Sequence, residues 1–389
     1  MSWHMSVVVL LLLLPGLTAC KTIADQKWAV PTTEQPGYPG ASTGIRIIQI
    51  DEGAPKQADR RPGKFFDEAD LSSLKSWLDK GRGAPIVVYI HGWHHNASRD
   101  KNNLASFRSF IAQLDGDVCQ VASLMDQERM CSPVQGIYVG WRGDSLDTLI
   151  LADVLDVVTF GSRKQASKRV GVGHLQKVLQ LVSAYKDRDV FIAGHSLGAN
   201  ALYHAVHAQG GLEVQDRHDY FMLNPATTSE EFEVLSSRML QVAGRAALDV
   251  TALQRAQARI ERREHRKLTV IQSDSDWVVG SLFRIAYGMP IGFDDDRRTH
   301  LADAVPLSTC PTLSAQPITG YCSVKLESGL TIRVSEPYES HCEAAFGAEA
   351  WVVLADPTFS SSHGDIWGPE QRCALAELIA KRVNRVPGY

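Results

Sequence analysis

The chain has 389 residues, 44% of them apolar, enough to bury a large core; it is long for one ordinary domain but normal for an α/β enzyme carrying insertions. A balance of 40 basic against 44 acidic side chains, net −4, leaves no electrostatic footprint for nucleic acid and bears only on solubility.

Val7 to Leu14 is an unbroken apolar run, too short to span a bilayer, and is followed by Pro15-Gly16-Leu17-Thr18-Ala19-Cys20. Leu17-Thr18-Ala19-Cys20 resembles a bacterial lipobox. The resemblance implies a signal peptide over 1–19, cleavage before Cys20, a lipid on that thiol and an acylated new amino end, and several acyl chains anchor firmly where one does not. Met1 to Ser6 departs from the pattern in carrying no Lys or Arg, and a plain secretory signal is the alternative. Lys21 after the cysteine, rather than an aspartate, favours the outer membrane by the same resemblance. The expected address is the cell envelope, on the periplasmic side.

From Cys20 to residue 44 the chain is rich in Pro, Thr, Gly and Ser, as a tether would be. The core begins near Ile45, with a strand over Ile45 to Ile50 and a helix marked by Leu71, Leu74 and Leu78. Pro85 to Ile90 is a continuous apolar run, expected of a strand buried on both faces, and it leads into His91-Gly92-Trp93. Leu104, Phe107, Ile111 and Leu114 recur at helical spacing; Gln135 to Trp141 is the next strand, and Leu175, Val178, Leu179 and Val182 mark another helix. The βαβα rhythm predicts a mostly parallel sheet with helices on both faces.

The apolar run Val190 to Ala193 then enters Gly194-His195-Ser196-Leu197-Gly198, with Ala199-Asn200-Ala201-Leu202 as helix former behind it. Strand, G-x-S-x-G, helix is the nucleophile elbow: a strained turn pushes the serine hydroxyl out over the sheet's end, and the glycines admit the close crossing of strand and helix. Ser196 is the candidate nucleophile.

Beyond the elbow lie strands at Tyr220 to Pro225 and Leu268 to Gln272, separated by an Ala- and Arg-rich stretch over 230–267 that is either a cap over the sheet's mouth or an ordinary helical connection. Residues 300–345 read as a second insertion, with a hairpin of Tyr321 to Leu326 and Leu330 to Val334. The chain closes with a strand, Trp351 to Asp356, and a helix from Pro369. Cys119, Cys131, Cys310, Cys322, Cys342 and Cys373 are an even set in a chain expected to be exported and read as disulfides. Pairing between sequence neighbours, Cys119 with Cys131, Cys310 with Cys322 and Cys342 with Cys373, is preferred among the fifteen possible connectivities. No C-x-x-C occurs to support a zinc or thioredoxin-like reading.

Together, Tyr89-Ile90-His91-Gly92-Trp93, Val139-Gly140-Trp141-Arg142-Gly143 and the elbow resemble the α/β-hydrolase family of serine esterases and lipases, in particular its poorly characterised bacterial lipase-like members, from residue 45 to the end. The family order is nucleophile, acid, histidine. After the strand ending at Gln272 come Asp274 and Asp276; the family pattern of Asp, one residue, then apolar residues favours Asp276 and leaves Asp274 to shape the turn. After the last strand comes His363, the expected general base; His300 and His341 precede that strand and are rivals only in an unusual topology. The resemblance implies an oxyanion hole from the N–H groups of Leu197 and Trp93 and places His91, Gly92, Trp141 and Arg142 beside the substrate, although Trp141 and Arg142 read equally as core closure and an ion pair.

Other features have plainer readings. His94 and His95 are loop histidines near the pocket, and His204 and His207 lie three apart on the elbow helix with no third metal ligand, so no metal is expected. Leu146 to Phe160 is either a lipase-type lid or a buried amphipathic helix. The expectation is a serine hydrolase of carboxylic esters, small or lipidic, needing no cofactor and held at a membrane by its anchor; an acyltransferase on the same residues and a non-catalytic binding platform are the alternatives. Oligomeric state is left open.

Overall fold

The computed structural model describes chiefly residues 44–51, 69–95, 102–124, 133–143, 152–208, 218–234, 268–287, 350–355 and 360–379, apart from isolated positions, together with short strands at 35–36, 64–65 and within 303–332. In chain order these form β1 (Gln35–Pro36), β2 (Gly44–Asp51), β3 (Lys64–Phe65), α1 (Ala69–Lys80), β4 (Ile86–Ile90), α2 (Asn102–Leu124), β5 (Gln135–Gly140), α3 (Ala152–Val170), α4 (Gln176–Ser183), β6 (Val190–His195), α5 (Leu197–Ala208), β7 (His218–Leu223) and β8 (Leu268–Ser273). The short β9 (Asp303–Pro306), β10 (Pro317–Cys322), β11 (Val324–Lys325) and β12 (Thr331–Ile332) precede β13 (Ala350–Ala355).

Among the described residues eleven strands make one sheet, ordered β1-β2-β5-β4-β6-β7-β8-β13-β10-β9 with β3 beside β2. All pairings from β2 through β13 are parallel, and the edge strands β1, β3, β10 and β9 join antiparallel. Alternation along each strand sorts the apolar side chains between two layers. Ile86, Val88, Ile90, Val190 and Ile192 face α1, α3, α4 and α5, whereas Val87, Tyr89, Tyr138 and Phe191 face α2 and the segment carrying Ile366, Ala376 and Ile379. Both sheet faces are thus covered, which is why β4 and β5 are buried at every position.

The strand order places the site. From β4 the chain steps to β5 on one side, then returns to lay β6 against β4's other edge, with Ile90 beside Gly194. This reversal is a topological switch point, and it sets the carboxyl ends of β4 and β6 side by side.

Two expectations change. α3 runs to Val170, well past the apolar stretch Leu146 to Phe160; residues 144–151 lie outside the described residues, and the one described side chain of that stretch, Phe160, packs against the core. The predicted hairpin shrinks to β11 and β12, because Tyr321 and Cys322 belong to β10 and pair with β13 in the main sheet. Alternation marks a strand but not its partner, and here the partner is distant in sequence. The elbow helix begins at Leu197, directly after the serine, as expected.

The proposed signal segment and Cys20, most of 230–267, His300, His341, Cys131, Cys310, Cys342 and Cys373 lie outside the described residues. Cys119, on α2, is disulfide-bonded, but no cysteine pair lies among the described residues. Among them, no helix is long and apolar enough to cross a membrane.

Candidate active site

Ser196 has φ +53, a left-handed conformation that costs an L-residue about 1–2 kcal/mol. The surroundings hold it there. Its N–H donates to Leu223 O at 3.0 Å, and its carbonyl accepts from the N–H groups of Ala199, Asn200 and Ala226 at 3.0, 3.2 and 3.2 Å. Both elbow glycines are required by close approach: a Cβ on Gly194 would stand 2.7 Å from Ala199 Cα, and one on Gly198 would overlap the carbonyl oxygens of Ile90 and His91.

The hydroxyl so presented meets His363. Ser196 Oγ lies 2.9 Å from His363 Nε2, and His363 Nδ1 lies 2.7 Å from Asp276 Oδ2. The carboxylate can only accept, so the imidazole hydrogen sits on Nδ1 and leaves Nε2 to accept from the serine. Asp276 is buried, and its other oxygen accepts from Val279 N–H at 3.1 Å, capping the π-helical turn Val278–Phe283 that follows. Gln272 Nε2 donates to Oδ2 at 3.1 Å. Asp274 lies outside the described residues. His363 rides on a tight turn in which Ser361 N and Oγ both donate to Asp365 Oδ2 at 2.8 Å, and Ser360 Oγ donates to Asp365 O at 2.8 Å.

The loop after β4 lies directly on the elbow. A Cβ on Gly92 would stand 2.9 Å from both Ser196 Cβ and His195 O, so only glycine allows this approach. Leu197 is the first residue of α5, and its N–H therefore has no acceptor within the helix. Leu197 and Trp93, the two residues expected to supply oxyanion donors, thus sit in segments adjoining Ser196.

His91, expected beside the substrate, and Trp141, which the sequence read equally as substrate contact or core closure, are both buried and packed against each other. His91 is fully buried; its Nδ1 donates to Gly92 O at 2.9 Å, its Nε2 accepts from Trp141 N–H at 3.0 Å, and its carbonyl accepts from the Trp141 indole at 2.8 Å. The two rings stack with centroids 5.6 Å apart. Burial, above all, holds the His91 imidazole down to about 3, so it is a neutral spacer that ties the β4 loop to the β5 loop. Arg142 is half-buried at the same edge, and its carbonyl accepts from Arg163 Nη1 at 3.0 Å.

The remaining histidines take modest places. His94, at φ +62, is exposed and stacks on Trp93 at 4.1 Å, while His95 O receives the Gly143 N–H at 3.0 Å. His204 and His207 pack around Tyr203. Among the described residues no group of three or more His, Cys, Asp or Glu side chains is placed to hold a metal ion.

Gln272, Asn224, His195 and Lys164 were not read as site residues from the sequence. Lys164 is buried behind the elbow, where Nζ donates to Ala226 O at 3.0 Å, Asn200 Oδ1 at 3.2 Å and Glu231 Oε2 at 3.2 Å. Its ammonium also lies over the Phe283 ring at 4.8 Å. It fixes the segment whose Ala226 N–H bonds the Ser196 carbonyl. An isolated lysine in a polar stretch carries no signal of this.

No family model matches the chain, and no curated protein does. Among solved structures it is similar to a cutinase-like protein from Cryptococcus sp., at 13% identity and a TM-score of 0.21, over 38% of this chain and 56% of that one.

Proposed function

We propose that the protein is a serine hydrolase that cleaves carboxylic esters through an acyl-enzyme on Ser196. The observation that carries this reading is the unbroken hydrogen-bonded line from Ser196 Oγ through His363 to the buried Asp276 carboxylate, with the serine held on a left-handed turn. In the reaction, His363 Nε2 takes the hydroxyl proton as Oγ attacks the acyl carbon, and Asp276 stabilises the resulting imidazolium. The N–H groups of Leu197 and Trp93 receive the oxyanion. The imidazolium then gives its proton to the departing alkoxide, and a water activated by the same nitrogen hydrolyses the acyl-serine. Beside the oxyanion loop, the half-buried rings of Trp93, Phe160 and Tyr287, with Phe160 at 5.0 and 5.6 Å from the other two, offer an apolar wall suited to an acyl chain.

The same reading places the enzyme at the cell envelope, anchored through Cys20; the apolar run Val7 to Leu14 and Leu17-Thr18-Ala19-Cys20 support this.

The test is a fluorophosphonate probe on the purified protein beside Ser196→Ala, with p-nitrophenyl esters of increasing acyl length assayed in parallel. Labelling and turnover are expected in the parent protein and in neither assay of S196A, and the chain-length optimum then reports how much of the aromatic wall the acyl group uses. Labelling that persists in S196A overturns the assignment.

A further inference from the structure

We propose that His195 and Asn224 form a clamp on the main-chain carbonyl of His363 and are positioning residues for the general base. The inference rests on the hydrolase reading of Ser196, His363 and Asp276 and deepens it.

The His363 carbonyl accepts two hydrogen bonds from buried side chains, one from His195 Nε2 at 2.7 Å and one from Asn224 Nδ2 at 2.9 Å. Asn224 Nδ2 also reaches Ser362 O at 3.4 Å. Both residues are nearly inaccessible, at 3% and 2% exposure, so neither is placed to touch a substrate. Each donor's orientation is set by its other neighbours. Asn224 Oδ1 accepts from Ser273 N–H at 2.7 Å and from Gln272 Nε2 at 3.4 Å, which turns the amide nitrogen toward His363. The residue has φ +43, a conformation that asparagine tolerates better than most side chains, and its own N–H is tied to Ile271 O at 2.7 Å.

His195 has a carbonyl in front of Nε2, so the ring hydrogen must be there. Its Nδ1 has no hydrogen-bond partner among the described residues and lies against Gly92, whose Cβ position would be 3.0 Å away. Burial first, then the neighbouring His363, pushes the His195 imidazole well below its ordinary range. The ring, 4.9 Å from that of His363 between centroids, therefore stays neutral while its neighbour takes up and releases a proton.

Geometry explains the need for a clamp. His363 lies on a loop beyond β13, yet its ring must meet Ser196 and Asp276 at once, and these stand at the ends of β6 and β8. His195 ends β6, Asn224 follows β7, and Asn224 in turn holds Ser273 at the end of β8. Two donors on one carbonyl fix the His363 peptide plane to the strand ends that carry the serine and the acid.

The experiment compares the full-length parent protein with His195→Phe, His195→Gln and Asn224→Asp. Phenylalanine keeps the ring and removes the donor; glutamine returns an amide nitrogen near the Nε2 position; aspartate keeps the Asn224 acceptor and replaces its donor with a charge facing the carbonyl. Expected are kcat and fluorophosphonate labelling rates about 10–100-fold lower in H195F and N224D, KM changed by no more than about twofold, and recovery of most of the rate in H195Q, with each variant checked for cooperative thermal unfolding. A packing role alone predicts a lower unfolding midpoint at an unchanged labelling rate. If the parent is active and a folded H195F or N224D matches it, or H195Q is as slow as H195F, the clamp is refuted and the hydrolase reading survives. A parent protein inert to both probe and esters defeats the hydrolase reading and takes the clamp with it.

Discussion

Asp276 divides two tasks between its oxygens, Oδ1 capping the following turn through Val279 N–H and Oδ2 holding His363 Nδ1 together with Gln272 Nε2. Every donor around the carboxylate needs an acceptor. In Asp276→Asn the amide group must take one of these two positions, so either the cap or the imidazole is met by a second donor, and the imidazolium loses its counter-charge. We expect kcat for ester hydrolysis to fall roughly 10³–10⁴-fold, read as initial rates against an S196A blank. That Asp276, His363 and Ser196 would meet was legible in the sequence because order along the chain and position after a strand are themselves sequence properties. Their supports were not. Gln272, Asn224 and His195 act through hydrogen bonds to groups up to 168 residues away, which no local pattern records. The burial of His91, and which of its two readings Trp141 takes, were hidden for a related reason: both follow strands at the edge where substrate would arrive, but their polar atoms are satisfied by each other and by Gly92, which lets them be buried.

At the level of elements, the strands and most helices followed directly from periodicity, because β4, β5 and β6 are apolar runs between covered faces and Val178, Leu179 and Val182 mark one side of α4. α3 was not legible beyond Phe160, since Lys164 and Ser167 are buried through partners and not through hydrophobicity: Ser167 Oγ donates to Lys164 O at 2.8 Å and accepts from Asn200 Nδ2 at 2.7 Å. The β6–α5 crossing makes the sharpest demand on sequence. In Gly198→Ala the new methyl would overlap backbone oxygens of Ile90 and His91, which can yield only if β4 or the elbow shifts. We expect a loss of about 3 kcal/mol or more, against a gain of about 0.5–1 kcal/mol for Gly116→Ala, a helical glycine in α2 whose added Cβ meets nothing within 4 Å. Denaturant midpoints of the two variants against the parent check both signs, and equal midpoints would mean that strand and helix do not cross as closely as described.

Across the whole molecule, the site is assembled from chain segments as far apart as Gly92 and His363, which the fold brings together, so whatever loosens the fold disperses the site. Acid is one such agent. Burial is the leading cause in depressing three histidines: His91 to about 3, His204 to about 4, and His195 well below its ordinary value. Below pH of about 6.5 the unfolded chain takes up protons on these rings that the folded chain refuses, so their contribution to stability is complete above that pH and drains away as pH falls toward the folded values. Asp115 acts in the opposite sense. Burial raises its carboxyl to about 6 despite the Val134 N–H bonded to it at 2.7 Å, so between about 6 and the ordinary aspartate value near 4 the folded chain keeps a proton that the unfolded chain has released. One group therefore offsets part of what three remove, and each fully buried histidine left uncompensated costs about 1.4 kcal/mol per pH unit. Urea midpoints should be flat from pH 8 to about 7 and then fall steadily toward pH 4.5, with a shallower fall in His204→Gln, which removes one of the three rings. A midpoint that holds or rises between pH 6.5 and 4.5 would show that these histidines accept protons within the fold, and that the neutral struts assigned to His91 and His195 are charged instead.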